Sequence, residues 1–444
     1  MSEEQNDKAQ RPNVKQRVVD REWPLPHAEP EEVGMSSERL ARIRPAMQRF
    51  VDEGKDPGFV TLVARKGKVV DFEAQGYMDI ESKRPVRKDT IYRLFSNTKP
   101  IAGVATMICV EEGLLKLDDP LSKFIPAFKN QVVPLPDPSP PEEMRRNLTP
   151  PGVINTVPAR RATTIRDCLR NTTGFISVAD VPMSYRAKYK EALDTLSFAG
   201  MNQSVSIEET VQALAKLPLD SQPGTRFTYH VGYPILGRVL EIVTGMTLTT
   251  LLEERIFKPL GMTDSSFYLP EEKTERFATL YRPKLVDDRW TLVVGDWPQT
   301  SDKVKGPKTY FDAGGGAGGV LSTVADYARF AQMLLNGGRL DGVRILGRKT
   351  VEMMTCCHTP EDMAVTLAGP GFGFGMGVGV YKGVAVPQLR SAGTYGWWGV
   401  GGTACYVDPK EEMVWLCFTQ VMYDQAFDNY PHEEFERLVY QSLE

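Results

Sequence analysis

Ile91-Tyr92-Arg93-Leu94-Phe95-Ser96-Asn97-Thr98-Lys99-Pro100 joins an apolar lead-in to a helical pattern carried by Ile101, Val104, Ala105, Ile108 and Cys109. A helix beginning near Ser96 sets Ser96 and Lys99 on one face of its first turn, where the lysine amine reaches the serine hydroxyl. A lysine held in a crowded, partly apolar site loses proton affinity and can act as a base near neutral pH. The unpaired N–H groups and the dipole at a helix start favour negative charge. A serine placed there has a base beside it and part of an oxyanion site beneath it. Pro100 suits a first turn, although it disfavours the helical region for Lys99. Ser-x-x-Lys has only two fixed positions and arises by chance about once or twice in a chain this long, so other segments must support it.

Outward from this stretch, Ser36 and Ser37 can cap a helix reaching about Asp52, with Leu40, Ile43, Met47 and Phe50 on one face and a kink at Pro45. Phe59 to Ala64 and Lys68 to Ala74 read as strands at a sheet edge, joined by a tight turn at Lys66-Gly67. The Ser96 helix should end near Gly113. A proline-crowded segment, 131–160, cannot be regular helix or central strand and reads as a surface insertion. Amphipathic helices follow over 164–169, 207–217, 233–243 and 248–256. Thr323 and Asp326 open another in a capping-box-like arrangement. Phe372 to Tyr381, Ala404 to Val407 and Met413 to Thr419 are strand-like, and a helix over 433–443 closes the chain. Strands at both ends around central helices imply a discontinuous α/β domain (30–95 plus 305–444), interrupted by a mainly helical one (96–304) and preceded by an arm (1–29).

The chain has 444 residues, enough for two domains, and a net charge of −4. No basic excess suggests nucleic acid, and no apolar run is long enough to span a membrane. The polar start lacks a secretory pattern, from which a cytoplasmic location is expected. Cys109, Cys168, Cys356, Cys357, Cys405 and Cys417 show no Cys-x-x-Cys spacing, so free thiols are expected over a disulfide frame. His27, His230, His358 and His432 lack metal-ligand spacing, and no Gly-x-Ser-x-Gly elbow is present, so neither a metal nor a histidine-based triad is indicated. Gly314 to Gly319 satisfies Gly-x-Gly-x-x-Gly but has no βαβ unit around it; a glycine-lined approach to an active-site floor is the better account.

Two further segments carry chemistry. Phe227-Thr228-Tyr229-His230-Val231-Gly232-Tyr233 precedes a helix, and a tyrosine there could relay a proton from the serine to a leaving group. His230 beside it can titrate but is not assigned a direct role. In Gly393-Thr394-Tyr395-Gly396-Trp397-Trp398-Gly399-Val400-Gly401-Gly402-Thr403 the glycines permit close backbone approach to a ligand, and Trp397 and Trp398 offer an apolar wall. A strand edge here could give the oxyanion one N–H opposite that of Ser96.

In order and separation these three segments resemble those of the class C β-lactamase superfamily, in particular its esterase branch, the family VIII carboxylesterases and related acyltransferases. The resemblance covers roughly Pro30 to Leu443 and implies an α/β sandwich, an antiparallel sheet flanked by helices with a mainly helical domain inserted. It implies Ser96 as nucleophile, Lys99 and Tyr229 as proton-transfer residues, and the N–H groups of Ser96 and Val400 as the oxyanion hole. Trp397-Trp398-Gly399 stands where β-lactamases carry Lys-Thr-Gly and esterases Trp-x-Gly, which makes these residues substrate-binding. Val231 replaces an asparagine and Trp397 a lysine of the β-lactamase pattern; both changes remove polar recognition of an anionic substrate. The expectation is a cofactor-free serine carboxylesterase acting on a small-molecule ester. An acyltransferase, an amidase or weak β-lactamase on the same site, and a catalytically silent scaffold are the alternatives.

Overall fold

A computed structural model describes residues 24–134, 156–175, 190–201, 205–287, 289–295, 319–365, 368–369, 371–383, 388–422 and 430–444. Most of the arm, the centre of the proline-rich segment and Gly314 to Gly318 lie outside the described residues.

Lys66 and Gly67 take the left-handed angles (φ 51° and 76°) that a two-residue hairpin needs, and β1 (Gly58–Arg65) turns back onto β2 (Lys68–Asp79). The sheet edge itself is β3 (Arg84–Pro85), paired with β2. The remaining strands come from the far end of the chain: β4 (Phe372–Phe374), β5 (Gly379–Tyr381), β6 (Tyr395–Gly399), β7 (Thr403–Asp408) and β8 (Met413–Phe418). They form one antiparallel sheet in the order β4-β5-β6-β7-β8-β1-β2-β3. The stretch 372–381 is therefore a hairpin and not one strand, because Gly377 turns the chain with φ 98°.

Helices cover both faces. α1 (Ser37–Leu40) and α2 (Ile43–Asp52) replace the single helix expected over 36–52. The break falls where the Pro45 ring excludes the carbonyl of Ala41 four residues earlier. α3 (Thr98–Glu111) follows Ser96 and ends before Gly113, whose φ is 73°. The middle of the chain supplies α4 (Ile165–Leu169), α5 (Lys190–Met201), α6 (Ile207–Ala215), α7 (Gly232–Thr244) and α8 (Leu248–Leu252). It also carries the hairpin Tyr281–Val286/Arg289–Val294. α9 (Val324–Leu335), α10 (Arg348–Thr355) and α11 (Pro431–Tyr440) follow.

Every residue of β1 is buried because both of its faces are covered. Val60, Leu62 and Ala64 join a core with α3 and α9, while Phe59 and Val63 join one with α2 and α11. Among the described residues no single helix is long and apolar enough to cross a membrane. All six cysteines are free, four of them buried.

Capping at Thr323 is half of the expected box. Its side chain accepts from the Asp326 N–H at 3.1 Å, but the Asp326 carboxylate accepts instead from Asp264 N–H (2.7 Å) and Ser265 Oγ–H (2.9 Å). That ties α9 to the Asp264 turn, and burial raises the Asp326 pKa to about 7.

Asp167 pins the end of α4. It has no exposed surface and accepts from Arg161 (2.5 and 2.9 Å), Arg170 (3.1 Å) and the hydroxyls of Thr164 (2.9 Å) and Thr172 (3.0 Å). Burial alone would raise its pKa; the Arg161 guanidinium and the Thr164 N–H outweigh burial and hold it below the usual carboxylate range. A depressed folded pKa contributes stability that is present above the unfolded value, about pH 4, and is lost as pH falls through the folded value. Asp167→Asn is expected to cost about 2–3 kcal/mol at pH 7, chiefly by stranding the part-buried Arg170, since the more exposed Arg161 is screened. It should also flatten the fall in stability on acidification below about pH 4. Urea melts from pH 3 to pH 7 test this, and parallel pH profiles for the two proteins would count against it.

Candidate active site

Ser96 lies in a single 3-10 turn, Phe95–Asn97, that leads directly into α3. The turn is strained: Phe95, a bulky buried residue, has φ 47°, a left-handed angle that costs a non-glycine residue about 1–2 kcal/mol. Surrounding contacts hold it there. Leu94 N–H donates to Val320 C=O (2.9 Å), and its own carbonyl accepts from Thr403 Oγ–H (2.9 Å). Asn97 Nδ2 donates to Thr403 C=O (3.0 Å), and Asn97 C=O accepts from the Tyr327 hydroxyl (2.8 Å). Ser96 remains half-buried while Phe95 and Asn97 on either side are buried.

One turn later Lys99 has no exposed surface, and its Nζ lies 3.0 Å from Ser96 Oγ. The same Nζ sits 4.3 Å from the centroid of the Tyr229 ring, 5.3 Å from that of Tyr233 and 3.3 Å from His230 Nδ1. Two aromatic faces thus flank the amine. An amine this close to a hydroxyl can exchange a proton with it.

Tyr229 and His230 reach Lys99 from the loop before α7. His230 has φ 77°, and Asn171, just after α4, clamps the loop from both sides. Asn171 C=O accepts from Thr228 N–H (2.7 Å), and its side-chain Oδ1 accepts from His230 N–H (2.8 Å). Gly232 allows α7 to start against α4, since a Cβ there would lie 2.7 Å from Cys168 Cα. The Asp167 network therefore fixes Asn171, and Asn171 fixes Tyr229.

The third segment closes the site. Trp397 on β6 is buried and donates its indole N–H to the Tyr229 hydroxyl oxygen at 2.6 Å. Phe374 meets Trp397 edge-on at 5.0 Å, and half-buried Trp398 stacks against it at 5.9 Å. Gly399 ends β6 against the nucleophile turn: a Cβ there would stand 2.3 Å from Leu94 O. Gly401 lies against the Phe95 ring, where a Cβ would come within 2.5 Å. Val400, between the two, is carried on the turn between β6 and β7 with its side chain largely exposed.

The structure thus brings Ser96, Lys99, Tyr229 and Trp397 into one chain of contacts, with Val400 on the adjoining turn and Trp398 on the outer side of Trp397. His230, given no role from sequence, stands in hydrogen-bonding range of Lys99. Asn171, which holds both neighbours of Tyr229, is not singled out by the sequence. Among the described residues no group of three His, Cys, Asp or Glu side chains could hold a metal ion.

Comparisons with known proteins bear on the family and the fold. The family model described as Beta-lactamase matches residues 43–436. An uncharacterized protein of Mycobacterium tuberculosis is 32% identical over 392 residues, which span 86% of this chain and 90% of that protein. Among solved structures, EstCE1, described as a hydrolase with promiscuous acyltransferase activity, aligns with TM-score 0.70 and 24% identity over 91% of this chain and 99% of its own. A family VIII carboxylesterase aligns with TM-score 0.65 and 20% identity over 92% of this chain and 99% of its own. At these identities the two structures speak for the fold, and the antiparallel α/β sandwich expected from the sequence is the fold observed.

Proposed function

This chain belongs to the β-lactamase family of serine hydrolases, and from that premise we propose that it is a carboxylesterase using Ser96, Lys99 and Tyr229. The observation that carries the reading is the indole N–H of Trp397 on the Tyr229 hydroxyl oxygen (2.6 Å), at the position where β-lactamases present a lysine. A neutral donor at that place can stabilise a tyrosinate but cannot pair with the carboxylate of a β-lactam. With the apolar wall that half-buried Trp398 presents, backed by buried Trp397 and Phe374, it favours uncharged esters.

In the proposed reaction Ser96 Oγ bonds to the acyl carbon as its proton passes to Lys99, whose Nζ lies 3.0 Å away. The N–H groups of Ser96 and Val400 receive the oxyanion. The bond to the alkoxide then breaks, and the leaving oxygen takes a proton through Tyr229, giving the acyl-enzyme and free alcohol. Water attacks the acyl carbon, gives its proton back through the same pair, and releases the acid with Ser96 reprotonated. Lys99 and Tyr229 share these protons, so their titrations belong to the pair.

The same acyl-enzyme can be intercepted by an alcohol. The apolar wall and the description of EstCE1 favour this as a second reading.

The experiment is a p-nitrophenyl ester panel with intact-mass detection of the acyl-enzyme, run beside nitrocefin and with and without an acceptor alcohol. The esterase reading expects short-chain esters to turn over with water and nitrocefin to be slow. An adduct that clears only when the alcohol is present would replace it with the transferase. Fast nitrocefin hydrolysis, or no adduct with any donor, would defeat it.

A further inference from the structure

We propose that His230 is a positioning residue that acts through Lys99: its Nδ1 accepts a hydrogen bond from the lysine amine and aims the amine at Ser96. The inference rests on the reading of Ser96, Lys99 and Tyr229 as the reacting groups.

Three observations carry it. The first is distance: Lys99 Nζ stands 3.3 Å from His230 Nδ1 and 3.0 Å from Ser96 Oγ, between the two. For the amine to keep its lone pair for Ser96 it must donate towards His230, so the ring nitrogen facing it is the acceptor and the ring proton belongs on Nε2. The second is backbone conformation. His230 holds φ 77°, an angle non-glycine residues seldom adopt, and holds it at the residue directly after Tyr229. The third is the clamp: buried Asn171 spends its side-chain oxygen on the His230 N–H (2.8 Å) and its carbonyl on the Thr228 N–H (2.7 Å). A strained backbone held by a buried amide is a means of aiming a side chain.

The chemical consequence follows from what a base must present. To take the Ser96 proton, the lysine amine needs its lone pair directed at the hydroxyl. With one N–H directed to His230 Nδ1, rotation about the terminal C–N bond is restricted and a lone pair can face Ser96. Once the proton has moved, the amine is an ammonium, and its hydrogen bond to Nδ1 is stronger than before. The contact therefore favours the state that follows proton transfer over the one before it, and its loss should fall on kcat more than on KM.

Two substitutions separate this role from a structural one. Glycine suits the left-handed angle and removes the acceptor; asparagine also tolerates that angle and places a side-chain oxygen near the former Nδ1. Both are measured in the full-length protein on an ester that the wild type hydrolyses. His230→Gly is expected to lower kcat about 10- to 100-fold, the effect of losing a hydrogen bond to a charged group, with KM within about threefold of wild type. His230→Asn should recover most of the lost kcat. The proposal is overturned if His230→Gly keeps wild-type kcat, if its loss appears in KM instead, or if asparagine is no better than glycine at equal melting temperature. Failure of the wild type on every ester would instead defeat the esterase reading, so the two failures are distinguishable.

Discussion

Ser96→Ala is expected to abolish acyl-enzyme formation and lower ester turnover by at least about 10³-fold, and Lys99→Met should come close to the same loss. The two residues act in one step. Without the hydroxyl there is nothing for the amine to deprotonate, and without the amine the serine keeps its proton. Their effects are therefore not additive, and the double variant should be no slower than Ser96→Ala alone. Stability should move differently. Lys99 has no exposed surface and lies against the rings of Tyr229 and Tyr233, so a methionine of similar length fills its place without a buried amine to solvate. Lys99→Met is thus expected to melt at or above the wild-type temperature while losing turnover. If the double variant lost far more than either single one, two independent contributions would be present and the shared proton step would be wrong. A Lys99→Met protein that acylated at the wild-type rate would remove Lys99 from that step altogether.

What could be read from sequence was local. Ser96 and Lys99 lie three positions apart, and a first helical turn brings them together whatever the rest of the chain does. The Lys66-Gly67 turn announced the β1–β2 hairpin in the same way. The misreadings also have local causes. The run 372–381 contains enough apolar residues to pass for one strand, but its glycines turn it, and Gly377 lies against α3, where a Cβ would be 2.8 Å from Lys99 O. The helix expected over 36–52 divides because Pro45, the third residue of α2, excludes the Ala41 carbonyl with its ring, not because the amphipathic pattern fails. What stayed hidden depends on pairs far apart in sequence. No periodicity relates Trp397 to Tyr229, 168 residues away, or Asn171 to His230, 59 residues away. The resemblance supplied Tyr229 and Trp397 as positions, but the hydrogen bond between them is a property of the folded chain. His230 gave a fainter signal: a polar ring between a tyrosine and a glycine-led helix start, and nothing to say which nitrogen faces what.

The remaining large effect is expected from one methyl group on β6. In Gly399→Ala the new Cβ would stand 2.3 Å from Leu94 O, 2.5 Å from Thr403 Oγ1 and 3.1 Å from Phe95 Cβ. The Leu94 carbonyl cannot yield easily, because it accepts from Thr403 Oγ–H while Leu94 N–H is bonded to Val320 C=O. The strand end must therefore move away from the nucleophile turn, and it carries the next residue, Val400, with it. Overpacking of this kind costs about 1–3 kcal/mol of stability, a loss that a protein of this size can survive. The oxyanion site is less tolerant, because its two N–H groups are useful only when both reach the same oxygen. Loss of one such donor lowers kcat about 10²- to 10³-fold. Gly399→Ala should therefore stay folded, melt a few degrees lower and acylate slowly, with KM little changed. The measurement is single-turnover acylation by intact mass at a temperature well below the melting point of both proteins. Wild-type acylation in the folded variant would mean that the Val400 N–H does not serve the oxyanion, and the second donor would have to be sought on another element.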